Sequence, residues 1–339
     1  MIKRHRIYSL FFLILLAGSL TLILQKWVGS VTLYQPSFCG RKQVLHKAIL
    51  YNLLPPGHTT WTELGANGVN IRIATVYFAE GIHRVTNFNI LTIYKWIDTI
   101  AIFASFLLLF AYLRKTSSLS YSLIGLLYVA AILPLTYFFA YFHPWDRVSL
   151  ALWIILLMLL RSKRLIFFTS LLVITITVKY DTVLLPGLYI LANITWGNWF
   201  RIVLRSIIMF SVSLGTLISL YIFSPDGFKN VNIIDLLFKN LKNICETQFS
   251  YPPLLGLFIP ISLAIIGFRR ADRFSRASVV FGILLCVLLI FTTNFIEIRA
   301  EMPILLLMLP SAIISLQVLC EGDLKTNGIC ICSETQEHV

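Results

Sequence analysis

Apolar runs long enough to cross a bilayer alternate with short polar turns along almost the whole chain. A membrane-spanning helix needs about 20 such residues, fewer where a segment is re-entrant and more where it tilts. On that scale the pattern predicts an all-α polytopic transmembrane bundle of about ten spans. They fall near residues 7–26, 90–113, 119–141, 148–160, 165–179, 182–196, 206–224, 253–268, 277–295 and 302–319. Three of these (148–160, 165–179 and 182–196) are short, as suits broken or partly re-entrant helices whose backbone is covered by protein. Pro134, Pro186, Pro260 and Pro310 sit inside apolar runs and predict kinks. Residues 1–319 read as a single transmembrane domain and 320–339 as a polar tail.

Two intervals between spans are long, 27–89 and 225–252, and both fall on the external side of the predicted topology. The first is no simple linker. It holds a turn-rich stretch from Trp61 through Glu63 to Gly68. In 69–85, Ile71, Val76, Phe78, Ala79 and Ile82 recur at near-helical spacing between Arg72, Glu80 and Arg84. That predicts an amphipathic helix lying on the outer membrane surface. Residues 231–244 alternate apolar groups with Asp235, Lys239 and Lys242 and predict the same. No internal repeat is visible, so the inverted-repeat signature of many secondary transporters is missing.

Charge orients this bundle. The chain is 58% hydrophobic and only 13% charged, yet its net charge is +13. The cations sit in small clusters between the apolar runs: Lys3-Arg4-His5-Arg6, Arg114-Lys115, Arg161 to Arg164, Arg201 with Arg205, and Arg269 to Arg276. Such clusters mark cytoplasmic loops and contact anionic lipid. They imply a multi-pass protein of the plasma (inner) membrane with both termini cytoplasmic. Removing one span would place 161–164 and 269–276 on opposite sides and break the pattern. The first cluster and the apolar run behind it read as an uncleaved signal anchor. Nucleic acid is excluded as a partner, because the cations flank membrane segments instead of sharing one face. The six cysteines have no zinc-framework spacing. A Cys39–Cys245 disulfide is open on the external side, and Cys330 and Cys332 read as free thiols of the tail.

Once the basic turns are placed inside, the remaining ionisable residues collect at the outer boundary, where they are costly and suggest function. His143, Asp146 and Arg147 join the third and fourth spans. Asp146 there suits the first turn of a helix, and the plain alternative is a helix start with Trp145 at headgroup depth. Lys179 and Asp181 join the fifth and sixth, or simply snorkel from two short helix ends. Glu297, Arg299 and Glu301 lie between the last two spans, with the two acids four residues apart and so on one helical face. Glu63 precedes a tight turn, and Asp98 marks the outer end of the second span. Acids at this level can act as general base or bind a divalent cation, and the bases can hold a phosphate. A phosphate-bearing lipid presents its head group at that depth.

These residues, in this order, resemble the layout of bacterial GT-C-type glycosyltransferases, the multi-pass enzymes that use polyprenyl-phosphate-linked sugars. The resemblance runs over residues 60–310 and rests on Glu63, the stretch Arg72 to Glu80, Tyr94 with Asp98, the Arg114-Lys115 turn, His143 to Asp146, Lys179 to Asp181 and Glu297 to Pro303. It implies transfer of a sugar from a lipid-phosphate donor on the external face, in cell-surface polysaccharide or glycolipid assembly. A carboxylate of the first external loop serves in that family as base or metal ligand, and Glu63 is the matching position. On this reading Glu63, Asp146 and Glu297 are catalytic, and Arg147, Lys179 and Arg299 bind the donor phosphate. Asp98, His143, Asp181 and Glu301 support them. Membrane lipids and an envelope-assembly complex are the expected partners. This chain carries Glu63 alone where many members carry an adjacent acidic pair. A transporter or flippase, and a non-catalytic membrane subunit of a polysaccharide machine, stand as the alternatives.

Overall fold

The computed structural model describes residues 2–33, 37–53, 72–137, 143, 145–223, 234, 237–238, 240–242, 247–292 and 298–321. Among these there is no strand. The apolar runs become helices because lipid offers no partner for backbone N–H and C=O groups, which must pair within each segment. The first is α1 (Ile2–Leu33). The long interval behind it contributes α2 (Ser37–Tyr51) and α3 (Ile73–Thr86). Then follow α4 (Ile90–Leu113) and α5 (Leu119–Ile132). α5 ends one residue before Leu133–Tyr137 tighten into a 3-10 helix. Pro134 explains the change, since it has no N–H to continue the α-helical ladder.

The stretches expected as three short spans are helical: α6 (Asp146–Arg161), α7 (Leu165–Val178) and a composite of a 3-10 helix (Tyr180–Leu184) with α8 (Leu185–Asn193). Pro186 opens α8 and makes no kink, because the start of a helix has no use for the missing N–H. The chain closes with α9 (Trp199–Phe223), α10 (Thr247–Gly267), α11 (Arg273–Thr292) and α12 (Ile298–Glu321). Among the described residues six helices are long and apolar enough to cross a membrane: α1, α4, α5 with its 3-10 extension, α9, α11 and α12. The protein is all-helical, membrane-embedded and multi-pass.

Packing follows membrane rules, where small residues let backbones approach. α10 and α12 meet at Gly267, where a Cβ would run into the Ser311 carbonyl oxygen and stand 2.9 Å from the Ser315 Cβ. Gly282 of α11 leaves room for the Met308 methyl of α12 in the same way. α6 packs on α4 and α7 and is covered almost all round, with Trp153, Ile154, Leu156 and Leu157 essentially inaccessible. It carries Asp146 in its first turn and Arg161 in its last, the polarity its dipole favours.

The bundle has two unlike ends. At one end the turns are basic: Arg161 pairs with Asp272 at 2.8 Å, Arg273 donates to the Ile194 carbonyl, and Lys115 feels the charges of Arg161 and Arg164. The other end gathers Gln25, Asp98, Asp146, Arg147, Lys179 and Asp181.

Candidate functional site

Five of the residues singled out from the sequence meet at the second end. Asp98 lies about two turns into α4, deeper than a rim position. Its Oδ2 accepts from the Gln25 side-chain amide of α1 at 2.9 Å, and its Oδ1 lies 4.0 Å from Arg147 Nε of α6. One residue before Arg147, Asp146 faces Lys179 at 3.6 Å. Lys179 is shared with Asp181 at 3.3 Å, and the Trp153 indole N–H donates to Asp181 Oδ1 at 3.2 Å. The break between α7 and α8 allows this sharing, since Lys179 is extended and one 3-10 helix, Tyr180–Leu184, follows it.

Burial makes the arrangement costly unless it is paired. The Asp98 and Arg147 side chains are 3% and 4% exposed, and Asp146 and Lys179 are 4% and 12%. Burying isolated charges in such surroundings is costly, and alternation of sign offsets that cost. Arg72, just ahead of α3, caps the cluster. Its guanidinium sits 5.1 Å from the ring centres of both Trp145 and Tyr180, a cation–π sandwich. The His143 ring tilts over Trp145 at 4.9 Å between centroids and is buried.

Asp146, Arg147 and Lys179 open onto a narrow cleft, with Thr136 and Ser149 as further polar walls and Leu133, Trp153, Met302, Pro303 and Leu306 as apolar ones. It offers about 10 Å³ to water-sized occupants, room for about one water. No family model, curated protein or solved structure matches this chain.

The acids do not converge on a metal position: among the described residues no group of three His, Cys, Asp or Glu side chains is placed to hold an ion. Cations stand between the carboxylates instead. Glu301 precedes the cleft residues Met302 and Pro303 and is buried, and neither of its carboxyl oxygens has a hydrogen-bond partner among the described residues. Glu63 and Glu297 lie outside the described residues, as do the Arg299 side chain, Cys245 and the Cys39 side chain. Most of 231–244 and the tail after 321 lie outside them too.

A second polar group was not foreseen. His46 of α2 joins Tyr94 Oη of α4 through Nδ1 at 2.7 Å and Glu80 of α3 through Nε2 at 3.1 Å. Glu80 also accepts from Arg84 Nε at 2.8 Å. The Arg84 hydrogen bond holds the Glu80 carboxyl below its usual range. With Glu80 ionised, Nε2–H donates to it and Nδ1 accepts from the Tyr94 hydroxyl. Burial holds the His46 pKa below its ordinary value, against the hydrogen bond and charge of Glu80. This group ties α2 and α3 to the N-terminal third of α4. Nothing in the sequence marked His46, because α2 has no apolar stripe to reveal a helix.

Proposed function

We propose that the chain is an integral membrane glycosyltransferase-like protein that takes a sugar from a lipid-phosphate donor at the end of the bundle holding Asp146. The observation that carries this reading is the buried alternation of Asp98, Arg147, Asp146, Lys179 and Asp181 beside a cleft. The chemistry asks for those two signs together. A carboxylate accepts the proton of an acceptor hydroxyl as its oxygen bonds the sugar's anomeric carbon. The bond from that carbon to the phosphate oxygen breaks, and its electron pair leaves with the phosphate. Asp146 is the base in this scheme, with Glu63 and Glu297 as the further acids, and Arg147 and Lys179 receive the leaving phosphate with Arg299. Asp98, His143 and Asp181 hold these groups in place.

The topology belongs to the same reading. Counting α6, α7 and the 180–193 composite as short crossings adds three to the six long helices, and α10 makes the tenth. The basic turns then face the cytoplasm with both termini, in the plasma membrane, and the cleft faces outward. α3 lies at the outer surface with Tyr77 and Phe78 exposed toward lipid. On this reading membrane lipids and an envelope-assembly complex are its partners.

Purified full-length protein offered a short polyprenyl-phosphate sugar and candidate acceptors tests the reading. Asp146→Asn is expected to slow transfer by about 100-fold or more. Undiminished transfer in that variant contradicts the assignment. One observation favours a different reading, a flippase or transporter: Glu301, a buried carboxyl without a hydrogen-bonding partner among the described residues, is the kind of group that carries a proton along a path. Movement of intact donor across a vesicle membrane, blocked in Glu301→Gln and without sugar transfer, decides for it.

A further inference from the structure

A groove at the basic end, far from the cleft, has the chemistry of a lipid site. It runs between α7 and α9 as an open depression of about 750 Å³. Lys163, Arg164 and Arg205 stand at its rim, and Ile166, Phe167 and Ile208 form exposed apolar walls. None of the three cations has an ion-pair or side-chain hydrogen-bond partner among the described residues, whereas Arg161 nearby is paired with Asp272.

The backbone fixes this rim. α6 ends in a Schellman turn: Arg164 N–H bonds the Leu159 carbonyl and Lys163 N–H bonds that of Leu160. The turn needs a left-handed residue, and Lys163 fills it at φ 56° where glycine would avoid the strain. The reversal sends the chain straight into α7, whose first turn has no side-chain cap. An uncapped helix start attracts negative charge. Three unpaired cations, a positive dipole end and an apolar channel opening to the lipid side are thus brought together.

We propose that this groove binds an anionic glycerophospholipid of the leaflet on the basic side. Its phosphate sits among Lys163, Arg164 and Arg205, and one acyl chain lies along Phe167 and Ile208. Charge complementarity selects the anionic head group, and continuity of the apolar walls with the bilayer selects a lipid over free phosphate. The inference is independent of the glycosyltransferase reading.

Native mass spectrometry of the full chain, with equimolar phosphatidylglycerol and phosphatidylcholine added, tests it. Phosphatidylglycerol is expected to be retained preferentially. The variant Lys163→Gln/Arg164→Gln/Arg205→Gln is expected to weaken that retention by roughly tenfold or more. The equally discharged variant Arg114→Gln/Arg269→Gln/Arg276→Gln is expected to keep it. Ser170→Trp, which leaves every cation in place and fills the groove, is expected to weaken it as well. Equal retention of both lipids, equal loss in the two discharged variants, or full retention in Ser170→Trp would each overturn the proposal.

Discussion

The two ends of the bundle solve opposite problems with the same side chains. At the Asp146 end, cations and carboxylates are withdrawn from water and lipid and pair with one another across α1, α4, α6 and the turn at 179–184. At the other end Arg114, Lys163, Arg164, Arg205, Arg269 and Arg276 are exposed, and one ion pair joins Arg161 to Asp272. A buried charge must find its counter-ion within the protein. An exposed one can use solvent or an anionic head group, so it needs no partner in the sequence. Net positive charge therefore accumulates at one end, while mixed charge is built into the other.

Substituting one member of each pair sharpens this contrast. Arg147→Met is expected to remove the cation beside the buried Asp98 and cost about 3–5 kcal/mol, seen as a large fall in the thermal midpoint of the detergent-solubilised protein. Arg161→Met, at the half-exposed pair, is expected to cost no more than about 1 kcal/mol. Equal losses would mean that the two ends do not differ in the way described. A smaller effect is expected in pH. His46 at the mixed-charge end has a pKa depressed by burial, so the unfolded chain takes up a proton more readily than the folded one. The stability this residue contributes is complete above about pH 6.5 and is lost as pH falls below that value through the depressed one. The wild-type thermal midpoint is expected to drop between pH 7.5 and 5.5 by more than that of His46→Gln. Parallel profiles would show that His46 is not the group responsible.

Much of this organisation can be read from the chain before the structure, and what cannot has physical reasons. α4 occupies the interval predicted for the second span, and α3 (Ile73–Thr86) overlaps the 69–85 stretch expected to be helical, because unbroken apolar length and periodicity are strong local signals. α9 begins at Trp199, seven residues ahead of its predicted start at 206. Arg201 and Arg205 lowered the apparent hydropathy there, although long cations tolerate a helix end by snorkelling. α2 went unseen because a mixed composition without a stripe carries no signal. At the site, the cost of placing charge in a membrane singled out Asp146, Arg147, Lys179 and Asp181. Pairing was a different matter. That Lys179 is shared by two acids, that Gln25 reaches Asp98 across 73 positions, and that Arg72 inserts between two aromatic rings depend on contacts no local pattern encodes.

Sidedness is the property on which every functional reading here depends. Single cysteines at Asn87, in the exposed turn between α3 and α4, and at Lys163, in the exposed turn after α6, can be probed in intact cells with a membrane-impermeant maleimide in a chain otherwise free of cysteine. The expected result is labelling of Asn87→Cys from outside and of Lys163→Cys only after the membrane is opened. Labelling of both from the same side would contradict the segregation of mixed charge from basic charge across the bilayer.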